Sequence, residues 1–267
     1  MCYDISLHSN IELTKQAFPQ LRDRRTQFTD TNPGIEHVTS FGFPEYPVLA
    51  NIDGELVLTE MEWSVNPTFE KDEKQRLIRR RKMANATTEK VLEDKRSFWQ
   101  RIKNNRCLIP MSGNYEHREI EGWKNKVPYY IWMADRETYH LPGFYHVEDA
   151  VDADGQPIKK YSFALLTRPA NEVLKLIHNS GEFRHRMPLY LTPEIEEFWL
   201  SNQFTNDDMK AVFDYMMPGE NFNFQTVYSV RGRTPRPDGK HKYDLWTYDN
   251  LPPLGQDKPL EPQASLF

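Results

Sequence analysis

The sequence predicts an α+β fold: a single domain with a curved, barrel-like, mostly antiparallel β-core flanked by helices. Short segments of β-branched and aromatic residues recur through the middle of the chain, separated by Gly, Pro and Asp-Gly turns. Segments with helical spacing of apolar residues lie between them. No internal repeat or long linker divides the 267 residues, and that length buries a core without disulfide or metal staples.

The elements follow in order. Alternation of Tyr3, Ile5 and Leu7 predicts an opening strand that ties the N-terminus into a sheet, and Ser9-x-x-Glu12 predicts a capping box starting a short helix. Residues 47–64 place apolar runs on both sides of Asp53-Gly54, the signature of a tight hairpin whose second strand leads to Trp63. After a charged stretch at 70–82, Val91, Leu92, Phe98, Trp99 and Ile102 keep helical spacing, which predicts one amphipathic helix over 88–104. Strands are expected at 106–117, 127–134, 138–147 and 160–167, a short helix at 170–178 and a strand at 187–191. Thr192-Pro193 sets a capping threonine before a proline at the first helical position. A helix at 206–216 and a last strand at 224–230 complete a domain over 1–230. Residues 231–267 read as a polar, Pro-rich, loosely packed tail.

Lys+Arg 34 against Asp+Glu 39 leaves a net charge of -5, which excludes a global electrostatic footprint for nucleic acid and confines any such partner to a local patch. Two clusters offer one: Arg76, Arg79, Arg80, Arg81 and Lys82, and Arg231, Arg233, Arg236, Lys240 and Lys242, the second interrupted by Asp238. Taken alone, each reads as solvated surface. No apolar run approaches the roughly 20 residues of a membrane helix, and the start lacks signal-peptide features, so a cytoplasmic protein without membrane contact is expected. Motifs for phosphate loops, dinucleotides, GxSxG hydrolases and HExxH metalloenzymes are absent. The two cysteines show no ligand spacing, so neither a structural zinc site nor a disulfide is expected, and no other metal and no cofactor are expected either. Cys107, in Cys107-Leu108-Ile109-Pro110, reads as core. Cys2 differs, because loss of Met1 leaves it with a free α-amine beside its thiol.

Smaller signals line up along the chain: Met1-Cys2, Trp63-Ser64-Val65-Asn66-Pro67, Asn85-Ala86-Thr87-Thr88-Glu89, Arg106-Cys107-Leu108-Ile109-Pro110 running to Gly113-Asn114-Tyr115-Glu116, Ile177-His178 and Arg186-Met187-Pro188. Together they resemble the SOS-response-associated peptidase (SRAP) family. Its pattern is Met-Cys, Trp-Gly-x-x-Pro, Asn-Ala-Arg-x-Glu, Arg-Cys-Leu-x-Pro-x-x-Gly-x-Tyr-Glu, a late Ile-His, and Arg-Met-Pro. The resemblance covers about residues 2–230. It implies an SRAP-like domain that senses abasic sites in single-stranded DNA and crosslinks to them through Cys2, with peptidase activity that includes removal of Met1. A monomer, associated with the nucleoid when on DNA, is expected.

The chemistry suits that implication. An α-amine has a reference pKa of about 7.7–8.0, so it is partly unprotonated near neutrality and condenses with an aldehyde. The thiol beside it then adds to the imine carbon and closes a five-membered thiazolidine. By the resemblance, Asn85 holds the Cys2 end, Glu116 moves protons during sugar-ring opening, and His178 stabilises or protonates the sugar oxygen. Trp63, Arg80, Arg81 and Arg186 would contact DNA, combining base stacking with cations.

Plainer readings stand beside these: a strand-end surface carboxylate for Glu116, a helix-end histidine for His178, and a core ring for Trp63. His185, just before Arg186, rivals His178. Asp4 stands where the family has a DNA-facing arginine, and Thr87 and His117 also depart from the pattern. Two other functions compete: a cysteine peptidase using Cys2 and His178 on other proteins, and a non-covalent single-stranded DNA-binding module. A protein–DNA band surviving denaturing electrophoresis distinguishes the crosslinker from both.

Overall fold

The computed structural model describes residues 2–27, 34–232 and 234–258. The expected opening strand forms as β1 (Asp4–Leu7), followed by α1 (Glu12–Ala17). The capping box does not form. Ser9 Oγ turns instead to Ser112 Oγ at 2.7 Å and Thr138 Oγ1 at 2.5 Å, and Asn10 Oδ1 accepts from the Glu12 amide. Next come β2 (Arg22–Asp23), β3 (Ile35–Thr39), β4 (Glu45–Ile52) and β5 (Glu55–Trp63). The β4–β5 hairpin turns through Asp53 at φ 52° and Gly54 at φ 83°, the left-handed pair that a two-residue loop requires.

The charged stretch carries a helix, α2 (Glu73–Arg80), capped by Asp72 Oδ1 on the Gln75 amide at 2.8 Å. After β6 (Asn85–Thr87), the helix expected at 88–104 breaks into α3 (Thr88–Glu93) and α4 (Trp99–Ile102). Asp94 leaves the helical region, and its Oδ1 accepts the Arg96 amide at 3.0 Å, a local bond that competes with helix continuation. The segment at 106–117 also divides, into β7 (Arg106–Met111) and β8 (Gly113–Arg118), which lie in different sheets with Ser112 at the corner. The remaining elements are β9 (Val127–Met133), β10 (Tyr139–Val151), β11 (Pro157–Pro169), α5 (Leu174–Ile177), β12 (Arg186–Pro188), α6 (Pro193–Trp199), α7 (Asn206–Asp214) and β13 (Phe222–Thr226). Thr192 caps α6 with Pro193 in its first turn, as expected, and Thr205 forms a full capping box on α7.

The strands make two sheets. One runs β13-β9-β8-β1-β3, and the other runs β12-β11-β10-β7-β4-β5-β2. The second closes into a barrel where β5 meets β11 in a short parallel contact, Ser162 to Glu62 and Phe163 to Trp63, while its other neighbouring barrel strands pair antiparallel. One contiguous core joins both sheets, from Ile5 and Ile131 to Leu49, Leu108, Phe144 and Trp199. The segment after β13 is not loose in its described part. Val227 bridges to Leu245, Arg236 donates to the carbonyls of His241, Asp244 and Leu245, and the buried Arg118 of β8 is held by the carbonyls of Pro252, Pro253 and Gln256 and by Asp257. Prolines and charges mislead here, because the charged groups are taken up in hydrogen bonds to backbone carbonyls and to the domain.

Candidate active site

β1 begins two residues after Cys2, so the N-terminal residues are fixed by the sheet they lead into. Cys2 is fully buried, its carbonyl accepts from Asn85 Nδ2 at 2.8 Å, and its Sγ lies 3.9 Å from the Asp4 carbonyl. Asn85 comes from β6, which a parallel pairing sets against β11. Glu116 sits on the face of β8 shared with Asn114, whose Oδ1 accepts from the core residue Tyr190. Burial, with the Asp4 charge adding to it, lifts Glu116 to about 7. Burial, and then the Glu116 charge, also pushes the Cys2 thiol up.

His178 caps the C-terminus of α5, whose first turn is held by Asn171 Oδ1 on the Leu174 amide at 2.8 Å. Its Nδ1 donates to the Arg186 carbonyl at 2.9 Å, which leaves Nε2 facing Glu116 Oε2 at 3.9 Å. Burial lowers this histidine to about 4, so it is neutral near pH 7. His185 is exposed, at φ 59°, and its backbone closes the base of the 179–184 loop through its amide on the His178 carbonyl at 2.7 Å. Of the two histidines, His178 is the one beside Glu116.

Glu116 and His178 open onto a cleft of about 1080 Å³, which Cys2 and Asn85 do not line. Its rim carries rings from Trp123, Phe183, Tyr228 and Tyr248 and cations from Lys124, Lys126 and Arg231. Sequence reading missed most of these, because they stand in loops without periodicity. The Arg231 cluster was visible as a charge run, but nothing in the sequence tied it to the N-terminus.

The expected DNA contacts fare differently. Trp63 is a core ring: it is 0 % exposed, its Nε1 donates to the Ala84 carbonyl at 3.1 Å, and it stacks on Phe163, so it has no face to offer a base. Arg80 pairs with Glu62, lies over Phe43 and exchanges hydrogen bonds with Ser64. Ser64, where the family pattern has glycine, adopts φ 95°. Arg186 is bidentate to Glu89 at 2.8 and 2.9 Å, and its carbonyl orients His178. Arg81 is exposed, away from the cleft lining. Asp4 is not a free surface anion: it is 1 % exposed and bound by Arg231 and His37. Thr87 caps α3. Arg233 lies outside the described residues. Among the described residues, no cluster of His, Cys, Asp or Glu has the makings of a metal site, and no helix is long and apolar enough to cross a membrane.

Comparison with known proteins agrees with this architecture. The family model described as SOS response associated peptidase (SRAP) matches residues 1–232. Abasic site processing protein YoqW of Bacillus subtilis (strain 168) is 32% identical over 151 residues, 57% of this chain and 60% of that protein. Abasic site processing protein YobE of the same organism is 28% identical over 151 residues, 57% of this chain and 62% of that protein. The match thus spans about three fifths of the length of these relatives. A crystal structure of a protein from Bacteroides thetaiotaomicron superimposes with TM-score 0.69 at 25% identity, covering 91% of this chain and 97% of that one.

Proposed function

Because the chain belongs to the SOS response associated peptidase family, we propose that it senses abasic sites in single-stranded DNA and captures the sugar aldehyde on Cys2. The observation that carries this reading is that two pairs drawn from distant parts of the chain meet, Asn85 on the Cys2 carbonyl and His178 beside Glu116, with the Glu116 charge felt at the Cys2 thiol and the second pair opening onto the cleft. Two buried acceptors there, Asn85 Oδ1 and Glu116 Oε1, have no donor among the described residues. Buried acceptors are seldom left so, and an amine or a sugar hydroxyl supplies what they lack.

After Met1 is removed, the Cys2 amine attacks the C1′ aldehyde of the opened sugar. Glu116, near pKa 7, donates a proton to the departing oxygen, water leaves, and an imine remains. The thiol then adds across the C=N bond: sulfur bonds to carbon, and its proton ends on nitrogen, giving the thiazolidine. Neutral His178 hydrogen-bonds the sugar oxygen and shares the proton with Glu116. Asn85 fixes the Cys2 carbonyl and thereby the direction of the amine. The DNA strand lies across the rings and cations of the rim, with Arg81 and the α2 end near Arg80 meeting phosphates beyond it, while Arg186 acts through His178.

The raised thiol is a poor resident thiolate, whereas an imine nitrogen can take its proton as sulfur adds, and its hydrogen bond runs to the Asp4 carbonyl. Both points weigh against a cysteine peptidase acting on other proteins. The test is incubation of the Met1-processed protein, verified by intact mass, with single-stranded DNA bearing one abasic site. A heat-stable band in denaturing electrophoresis, lost in Cys2→Ala, is expected. Absence of that band in the parent, or its persistence in Cys2→Ala, overturns the proposal.

A further inference from the structure

Asp4 is a buried carboxylate two residues from Cys2, and the group that neutralises it comes from the far end of the domain. Arg231 Nε donates to Asp4 Oδ1 and Oδ2 at 3.0 and 3.1 Å, its Nη2 also donates to Oδ2, and His37 Nε2 donates to Oδ1 at 2.8 Å. The guanidinium lies 5.1 Å from the centroid of Phe41, and Tyr3 stacks on the same ring at 5.1 Å. These contacts lock the orientation of Arg231 without hiding it. Its side chain stays 44% exposed, it lines the cleft beside Glu116, and its Nη1 makes no hydrogen bond with the described residues.

We propose that Arg231 is the phosphate-binding residue of this cleft and Asp4 its positioning residue, so that the strand is gripped beside Cys2 by a cation delivered from the C-terminal side of the domain. The proposal rests on the reading of the cleft as a single-stranded DNA site. A cation whose Nε edge is occupied by a buried carboxylate still presents Nη1 and its charge to an oxyanion, and guanidinium suits phosphate oxygens through charge-assisted hydrogen bonds. Pre-orientation matters, since a free arginine loses rotamer entropy on binding. Asp4, an apparent defect in a DNA-binding N-terminus, thereby becomes the anchor of the cation it seemed to oppose.

The test uses the full chain and two oligonucleotides. Fluorescence anisotropy with single-stranded DNA carrying a tetrahydrofuran abasic analogue, which has no aldehyde, reads binding alone, and single-turnover crosslinking to a true abasic site reads the chemistry. Arg231→Ala should weaken analogue binding roughly 10- to 100-fold, the scale of one charge-assisted contact, and flatten the salt dependence by about 0.7 log units per log unit of salt. Crosslinking at sub-saturating DNA should fall in step with the affinity. Arg231→Lys should restore the salt slope but only part of the affinity, and Asp4→Asn should weaken binding while keeping the slope. Thermal melting of each variant guards against misfolding, with Arg231→Gln as the alternative if Arg231→Ala does not fold. Parent-like affinity and slope in Arg231→Ala or Arg231→Gln overturn this inference alone if the parent still crosslinks. A parent that binds the analogue but never crosslinks overturns the crosslinking reading and leaves Arg231 judged by its salt slope. A parent that does neither overturns both.

Discussion

Glu116 and His178 illustrate how one environment prepares two titratable groups for opposite tasks. Burial raises the carboxyl to about 7 and lowers the imidazole to about 4, so near neutrality a partly protonated acid faces a neutral base. The stability linkage follows from the same shift. Glu116 is raised above the ordinary 4.5, so its contribution is fully present below about 4.5 and is lost as pH rises to about 7. Glu116→Gln should therefore melt higher than the parent by a margin that grows between those values and levels off above, while its crosslinking should slow and lose the decline expected of the parent above pH 7. Melting curves and single-turnover rates across pH check both, and a pH-independent margin contradicts the assignment. His178→Ala should slow crosslinking by about 10²-fold or more at saturating DNA, and His185→Ala should leave that rate near the parent's. Trp63→Ala should cost about 3–5 kcal/mol of stability, as a buried ring does, and denaturant titration reads it.

At the scale of elements, the corner at Ser112 makes the site. Had 106–117 continued as one strand, Glu116 would have stayed in the barrel sheet. The break transfers it to the sheet that contains β1 and so places it near the N-terminus. Ser112 is tied in by its amide on the Ser6 carbonyl at 2.8 Å, and Gly113 leaves room for the Tyr130 ring, whose atoms come within 2.2 Å of where a Cβ would stand. That ring cannot retreat cheaply, because its hydroxyl is bonded to Ser6 and His8 at 2.9 and 3.0 Å. Gly113→Ala should thus destabilise the protein by about 1–3 kcal/mol, the cost of overpacking, measured by denaturant unfolding, and should slow crosslinking through displacement of Glu116. An unchanged midpoint would show the ring to be free to move.

For the molecule as a whole, the segment after β13 is a strap whose ends serve the site. Arg231 reaches Asp4, Tyr248 walls the cleft, and residues 252–257 surround Arg118, which is 0 % exposed and two positions beyond Glu116 on β8. Deleting 234–267 would strip that guanidinium of its carbonyl and carboxylate partners and uncover the surface beneath, a loss on the order of 3–5 kcal/mol. The truncated chain should melt well below the parent, and the combination with Arg118→Met should recover part of the loss. Equal melting temperatures for the parent and the truncation would show the strap to be dispensable. The family match ends at residue 232, so this dependence falls mostly on residues beyond it.

What the sequence determined by itself was local or ordered along the chain: the Asp53-Gly54 hairpin, the Thr192-Pro193 helix start, the α+β class, and the motif order that points to Cys2, Asn85, Glu116 and His178. These are legible because turn chemistry, capping and periodicity act within a few residues. Tertiary structure decided which of two nearby histidines meets the carboxylate, whether the Trp63 ring is exposed or in the core, and whether Asp4 is a free surface anion or a buried partner of Arg231. Each of those outcomes turns on burial and on partners separated by tens to hundreds of residues, such as Asp4 on β1 and Arg231 shortly after β13, brought together by the one sheet that holds both strands.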